Sequence, residues 1–423
     1  MTQIKNHNQN AAGSGGSVLV ENCQISGSND LKSILFIGFL PPVNTMEAIG
    51  SRPKEKIAYP AELLYCPESQ LVQLGLIVDP AVIFPPHYAY TSGTTKILRE
   101  NFAELYTEVM KLYPITKDDL VVDIGSNDGT LLQNFHTGGH RTCGVEPTNA
   151  YKLAVEKGIP SINEFFDSKA AKQVVEIYGK AKIVTAANVF AHIENVHEIV
   201  ASILAMLDDD GIFISESHYL LPLIETLQYD TIYHEHLRYY SLLSLKYLLE
   251  LHGLEIIHAK PIPTHGGSIR VYTALKGQRP VQDSVAKIIA EEEEKLNWDT
   301  FMDFRNRVSQ SKLDLMAMLK EIRSKNEKVY GVGAPSRAST LVNYIGLDDS
   351  IIDCVLEIKG SYKIGKYMPG TLIPVLEESK LMEDQPEYAI LFSWHIADEL
   401  IPKLKEKGYR GRFIIPLPTP RIV

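Results

Sequence analysis

The order of apolar and polar positions changes period along the chain, and those changes mark its elements. From Thr95 to Tyr113, Ile97, Phe102, Leu105, Val109 and Leu112 recur at helical spacing, and Pro114 ends the run. Short apolar runs then alternate with helical ones. LVVDI, RTCGVE, SINEFF, KIVTAANVF and GIFISES read as strands, with NAYKLAVEKG and NVHEIVASILAML as helices between them. Such alternation predicts an α/β fold with a doubly wound sheet and ligands at the carboxyl ends of its strands. From Asp283 to Lys325 the chain is charged and helical, including EEEEK, which predicts a solvated connecting helical pair. A second unit, from KVYGVGAPSRASTLVNYI to GRFIIPL, alternates again and predicts a small α/β domain. The first ninety or so residues lack a clean helical period and read as a small, loop-rich module behind a polar, glycine- and serine-rich tail. The division expected is a disordered tail 1–20, an N-terminal module 21–94, a central domain 95–280, a connector 281–325 and a C-terminal domain 326–423.

The chain has 423 residues, beyond the usual size of one domain, which fits that division. No apolar run reaches the roughly 18 residues that span a bilayer, and the tail does not resemble a signal peptide, so no membrane partner is expected. A net charge of -10 offers no general attraction to nucleic acid, and an anionic substrate must be caught by local basic groups. Four scattered cysteines do not suggest a disulfide scaffold, and the expected setting is a reducing cytoplasm.

The densest chemistry begins at LVVDIGSNDGTLLQNFHTGGHRTCGVEP, Leu120 to Pro147. A strand, a glycine turn at Gly125 and Gly129, a helix start and a second strand ending in Glu146 form the recipe for a nucleoside-like cofactor, with backbone N–H groups facing the ligand and a carboxylate for the ribose. A pyrophosphate site wants G-x-G-x-x-G. Here Asn127 stands at the middle glycine, as the residue that best replaces Gly at positive φ, and Asp128 would repel a phosphate. Asp123 and Asp128 suit a cation instead, and S-adenosylmethionine carries an ammonium and a sulfonium. The turn resembles the first motif of class I methyltransferases.

Tyr229 to Ser241, YDTIYHEHLRYYS, packs four tyrosines, two histidines and two acids together. His234 and His236 lack the H-E-x-x-H spacing of a zinc pair, so a general base is the better functional role, with a polar surface helix start as the alternative. His236 has Glu235 beside it and Tyr233 close by, and His192 follows a strand end as a second base or orienting group. In THGGSIRVY, His265 precedes Gly266 and Gly267, which permit close approach to a ligand, and Arg270 is either a ligand contact or a cross-strand charge. Tyr88 and Tyr90 could stabilise an enolate oxygen. In the C-terminal unit, Gly333 and Arg337 at the turn supply donors suited to a phosphate.

Taken together, Y-x-Y-x-S-G at Tyr88, D-I-G-S-N-D-G-T at Asp123, E-P at Glu146, A-N-x-x-x-H-I at Asn188 and His192, and I-Y-H-E-H ending at His236 resemble the sugar C-methyltransferases that act on TDP-4-keto-hexoses. H-G-G-S-x-R at His265, Y-G-x-G-A at Tyr330, P-G-T-x-I-P-V at Pro369 and L-F-S-W at Leu391 extend the resemblance from about Cys23 to the C-terminus. It implies a central class I methyltransferase domain, a Rossmann-like doubly wound sheet, between an N-terminal module and a C-terminal α/β domain. It also implies S-adenosylmethionine held by Asp123, Gly125, Asn127, Asp128, Gly129, Glu146, Pro147, Phe166 and Asn188. His236 would be the base, with Tyr233, Glu235, His192, Tyr88 and Tyr90 lining the keto-sugar. His265, Gly266, Gly267, Arg270, Gly333, Arg337, Lys363 and Lys366 would serve the substrate, with the C-terminal domain holding its nucleotide diphosphate.

Two departures stand out. The family opens with two C-x-x-C pairs around a structural zinc, but here they read Cys23-Gln-Ile-Ser26 and Cys66-Pro-Glu-Ser69, so no metal is expected and packing must hold the module. The run from Glu357 to Lys366 also differs from the usual acid-to-lysine spacing. The expected activity is methylation of an enolate formed next to a ketone, on a nucleotide-linked 4-keto-deoxysugar. A non-sugar keto acid or acyl thioester is the alternative substrate, an NAD-dependent oxidoreductase or a silent binding module the lower-ranked reading, and a monomer or homodimer the expected assembly.

Overall fold

In the computed structural model, which describes residues 16–54, 57–83 and 91–423, the N-terminal module is an antiparallel sheet. Its strands are β1 (Val18–Leu19), β2 (Lys32–Leu40), β3 (Tyr59–Cys66), β4 (Leu71–Leu74) and β5 (Leu76–Ile77). β2, β3 and β4 form consecutive ladders, and β1 pairs with β5, so the ordered chain begins inside the stretch expected as a disordered tail. The strands were hard to see for a physical reason. Bulges in β2 interrupt its period of two, leaving Ile34, Leu35 and Ile37 buried but Phe36 and Phe39 outside.

The central domain carries β6 (Leu120–Ile124), β7 (Arg141–Val145), β8 (Ser161–Ile162), β9 (Ala181–Ala187), β10 (Leu207–His218), β11 (Arg238–Tyr239), β12 (Leu254–Ile262) and β13 (Ser268–Leu275). Seven of these make one sheet in the order β12-β13-β10-β9-β6-β7-β8, with β13 antiparallel to both neighbours and the strands from β10 to β8 parallel. β6 is apolar enough to be buried on both faces. The helix Lys96–Leu112 buries Leu98, Phe102, Leu105 and Val109. β11 leaves this domain and pairs with β4, completing a four-stranded sheet in the N-terminal module.

The connector is two helices, Asp283–Lys295 and Trp298–Ser324, and it is less solvated than its charge suggests. Phe301, Phe304, Val308, Leu315 and Leu319 are buried, and the Glu292 carboxylate accepts the backbone N–H groups of Leu242 and Leu243 at the start of another helix. The C-terminal domain adds β14 (Val329–Val332), β15 (Cys354–Glu357), β16 (Val375–Glu377), β17 (Tyr388–Leu391), β18 (Arg412–Ile415) and β19 (Arg421–Ile422), in the order β16-β15-β14-β17-β18-β19. It touches the N-terminal module directly, through Ile49 N–H to the Gly365 carbonyl and Tyr367 N–H to the Glu47 carbonyl. Among the described residues no helix is long and apolar enough to cross a membrane.

Candidate active site

The loop after β6 has the backbone that its residues foretell. Gly125, Asn127 and Gly129 all adopt positive φ, at 67°, 50° and 74°, and a Cβ on Gly125 would collide with Val189. Glu146, at the end of β7, accepts the Asn127 N–H at 2.9 Å and the Thr148 N–H at 2.8 Å, which fixes its carboxylate beside the loop. Next to it, Asp123 accepts the Thr185 hydroxyl at 2.6 Å. Burial pushes the Asp123 pKa up to about 7, with Glu146 and Glu216 adding to the rise. The N–H groups of Gly125, Ser126, Asn127 and Gly129 are all engaged within the protein, so it is the two acids beside the turn that suit a nucleoside bearing positive charge.

Other expected cofactor residues sit differently. The Asp128 carboxylate accepts the Thr130 hydroxyl, the Gly93 N–H and Lys157 Nζ, so it ties the helix Thr130–Thr137 to its surroundings. Phe166 is buried in the core, whereas its neighbour Phe165 is 70% exposed. Asn188 takes a φ of 58° at the end of β9, its N–H donated to the Glu216 carbonyl, and Pro147 is half-buried behind Glu146.

His236 lies on the loop between the turn Tyr229–Thr231 and β11, and it is the one residue from Leu227 to Leu242 that is half-buried and not fully buried. Its Nδ1 is 2.8 Å from the Thr231 carbonyl, an acceptor only, so Nδ1 carries the proton and Nε2 keeps its lone pair. The ring centroids of Tyr233, His192 and His218 lie 4.3, 5.0 and 6.4 Å away. Burial first, then His192 and His218, holds the His236 pKa well below the usual value, so the ring is neutral and able to accept a proton. Burial likewise lowers His192 to about 4 and His218 to about 3. Glu235 accepts the Asn44 amide at 2.7 Å, and burial raises its pKa to about 7 against the opposing charge of Lys363. Residues of all three domains thus converge on this carboxyl. Tyr88 and Tyr90 lie outside the described residues.

Several expected substrate contacts are engaged elsewhere. Arg270 is fully buried, and its donors go to Glu216 at 2.6 Å, Glu104 at 2.6 Å, Glu108 at 2.9 Å and Asn101, which locks β13 to the helix Lys96–Leu112 and leaves nothing for a ligand. Gly266 and Gly267 make room for protein, since a Cβ on either would strike Gln228 or Pro222. His265, at a φ of 57°, remains exposed. Arg337 is committed to a bidentate pair with Asp230, both contacts 2.7 Å. Lys363 Nζ donates to the Ala334 carbonyl, beside Gly333 with its φ of 80°, and Lys366 stands over the Tyr362 ring at 4.9 Å. Glu357 accepts the Ala334 N–H, repeating in this domain the relation of Glu146 to Asn127.

Sequence reading missed His218, Asn44, Asp230 and His395, whose Nδ1 is 3.2 Å from Arg337. His218 alone had a signal, as a histidine at the carboxyl end of an open-sheet strand.

The four positions of the absent cysteine quartet do converge. Cys23 Sγ lies 3.0 Å from Ser69 Oγ, and Cys66 Sγ 3.6 Å from Ser26 Oγ. Two thiols and two alcohols do not fit a tetrathiolate zinc, and among the described residues no group of three or more His, Cys, Asp or Glu is arranged to hold a metal ion.

Residues 97–259 match a family model described as "Methyltransferase domain", 263–418 one described as "C-methyltransferase C-terminal domain", and 23–84 one described as "Putative zinc binding domain". Over 409 residues, 96% of this chain and 97% of the relative, the sequence is 30% identical to the C-methyltransferase NovU of Streptomyces niveus. Among solved structures, an S-adenosylmethionine-dependent methyltransferase from Clostridium acetobutylicum aligns at 13% identity and a TM-score of 0.34, over 42% of this chain and 92% of its own. The magnesium protoporphyrin IX methyltransferase of Synechocystis aligns at 13% identity and 0.33, over 42% and 79%.

Proposed function

The chain belongs to the C-methyltransferase family, and from that premise we propose that it methylates a carbon next to a ketone on a nucleotide-linked 4-keto-deoxysugar, with His236 as the base. The observation that carries the reading is the lone pair left on His236 Nε2 by the Nδ1 contact with the Thr231 carbonyl, on the one half-buried residue of an otherwise buried loop.

The loop Gly125–Gly129 with Asp123 and Glu146 would hold S-adenosylmethionine, which when bound supplies an electrophilic methyl group. His236 Nε2 removes the proton α to the ketone, and the electron pair left behind delocalises onto the ketone oxygen. Only a carbon acidified by a carbonyl is within reach of an imidazole, which is why a keto substrate is required. Glu235 ionises near neutrality, and its negative charge would favour the imidazolium formed. Methylation of that carbon would break the sulfur–methyl bond of the bound donor, the bonding pair returning to sulfur to leave S-adenosylhomocysteine, and the proton leaves His236 to solvent.

Incubation of the enzyme with S-adenosylhomocysteine and a TDP-4-keto-6-deoxyhexose in D2O should place deuterium at the carbon next to the ketone. Exchange that survives unchanged in His236→Ala removes that residue from the role. A second reading, a non-sugar keto substrate, is favoured by the pairing of Arg337 with Asp230, which removes that guanidinium as a partner for a diphosphate. Titration with thymidine diphosphate separates the two, since absence of binding supports the non-sugar substrate.

A further inference from the structure

The turn Tyr229–Thr231 supplies the carbonyl that orients His236, and the C-terminal domain grips that turn on both sides of Thr231. On one side Asp230 accepts Arg337 Nε and Nη2 at 2.7 Å each and Trp394 Nε1 at 2.8 Å. On the other, Thr340 Oγ1 donates to the Ile232 carbonyl at 3.1 Å. Arg337 and Thr340 lie on one helix, Ser336–Ile345, so a single rigid element sets both points. Within the central domain the Thr231 N–H and hydroxyl both go to the Gln228 carbonyl and the Tyr239 hydroxyl donates to the Thr231 carbonyl at a long 3.4 Å, while Arg337 Nη2 reaches the Gln228 side chain as well.

We propose that Arg337, Thr340 and Trp394 are positioning residues, through which the docked C-terminal domain sets the tautomer and aim of the His236 ring. The proposal rests on the reading of His236 as the base. A buried ion pair is a poor source of stability, because desolvating both charges offsets their attraction, so its value here lies in geometry. The bonds it makes also point that way, since they fall on the two residues that flank the orienting carbonyl. If that carbonyl moves by about an ångström, the Nδ1–H bond weakens, the proton is free to shift to Nε2, and the lone pair is lost from the substrate side; displacements of that size cost about a hundredfold in rate.

The direct test is a 15N–1H correlation spectrum of the histidine-labelled full chain saturated with S-adenosylhomocysteine, with His236 assigned by its loss in His236→Ala. The wild type should show the Nδ1–H tautomer. In Thr340→Val and Asp230→Asn the His236 signals should move toward a tautomer mixture, and Thr340→Ser should restore the wild-type pattern. With a TDP-4-keto-6-deoxyhexose, kcat should fall about ten- to a hundredfold in the first two variants while KM changes little. The ring spectrum needs no substrate and decides by itself. Unchanged His236 signals in both variants, while each remains folded, would overturn the proposal. Deuterium exchange surviving in His236→Ala would end the base reading, and the ring spectrum would still report separately on the grip.

Discussion

The Asn44 side chain of the N-terminal module donates to Glu235 of the central domain at 2.7 Å, across 191 positions of sequence. A donor to a carboxylate favours its ionised form, so Asn44 opposes the burial that brings Glu235 to about 7. Asn44→Ala should therefore raise that pKa further. The ascending limb of the kcat/KM profile should move to higher pH, with S-adenosylhomocysteine affinity unchanged. A limb that stays in place would mean that Glu235 does not titrate in catalysis.

Arg270 is the cation at the centre of a buried acidic cluster, and replacing it with Met strands Glu216 without a counter-charge. The expected loss of stability is about 3–5 kcal/mol. In urea denaturation this appears as a lower midpoint, with KM for the keto substrate unaltered where the variant is folded. A raised KM with an unchanged midpoint would restore Arg270 to the substrate.

Ser26→Cys together with Ser69→Cys completes a thiol quartet at positions that already converge. The double variant should take up about one zinc per chain and melt at a higher temperature, because metal binding to the folded state adds to its stability. Metal analysis after gel filtration checks this, and no zinc beyond the wild-type level would show that the quartet lacks tetrahedral geometry.

Acid should unfold the protein through its cleft histidines. His192 and His218 titrate near 4 and 3 when folded but near 6.5 when unfolded, so below 6.5 the unfolded chain binds the extra protons and stability falls as pH falls toward 4. Asp123 and Glu235 act oppositely. Their raised values give stability that is present below the ordinary carboxylate range and lost as pH rises through about 7. Melting temperatures measured from pH 4 to 8 should therefore slope less steeply on the acid side in His192→Gln combined with His218→Gln. An unaltered slope in that double variant would move acid sensitivity to other groups.

Much of the central sheet was legible because its strands are buried on both faces and read as unbroken apolar runs, and because turns at positive φ admit few residues, as at Gly125, Asn127 and Gly129. Local pairings were legible for the same reason, such as His236 beside Glu235. Long-range pairings were not. Asp230 and Arg337 are 107 residues apart, and nothing in the composition around either tells whether a charge meets a ligand or another side chain. The two serines in the N-terminal module were visible in the sequence, but the crossed thiol–hydroxyl contacts that they make were not.

β11 begins two residues after His236 and is hydrogen-bonded to β4, while the guanidinium of Arg238, its first residue, donates to the carbonyls of Ile193 and Glu194, directly after His192. Both imidazoles are therefore anchored to a scaffold that lies outside the methyltransferase sheet. A chimera that joins this catalytic segment to a relative's N-terminal module must carry a β4 able to receive Arg238 and Tyr239 in register. In this chain a cut at the linker between the two modules would sever that pairing, because the segment that carries His236 is woven into both at once.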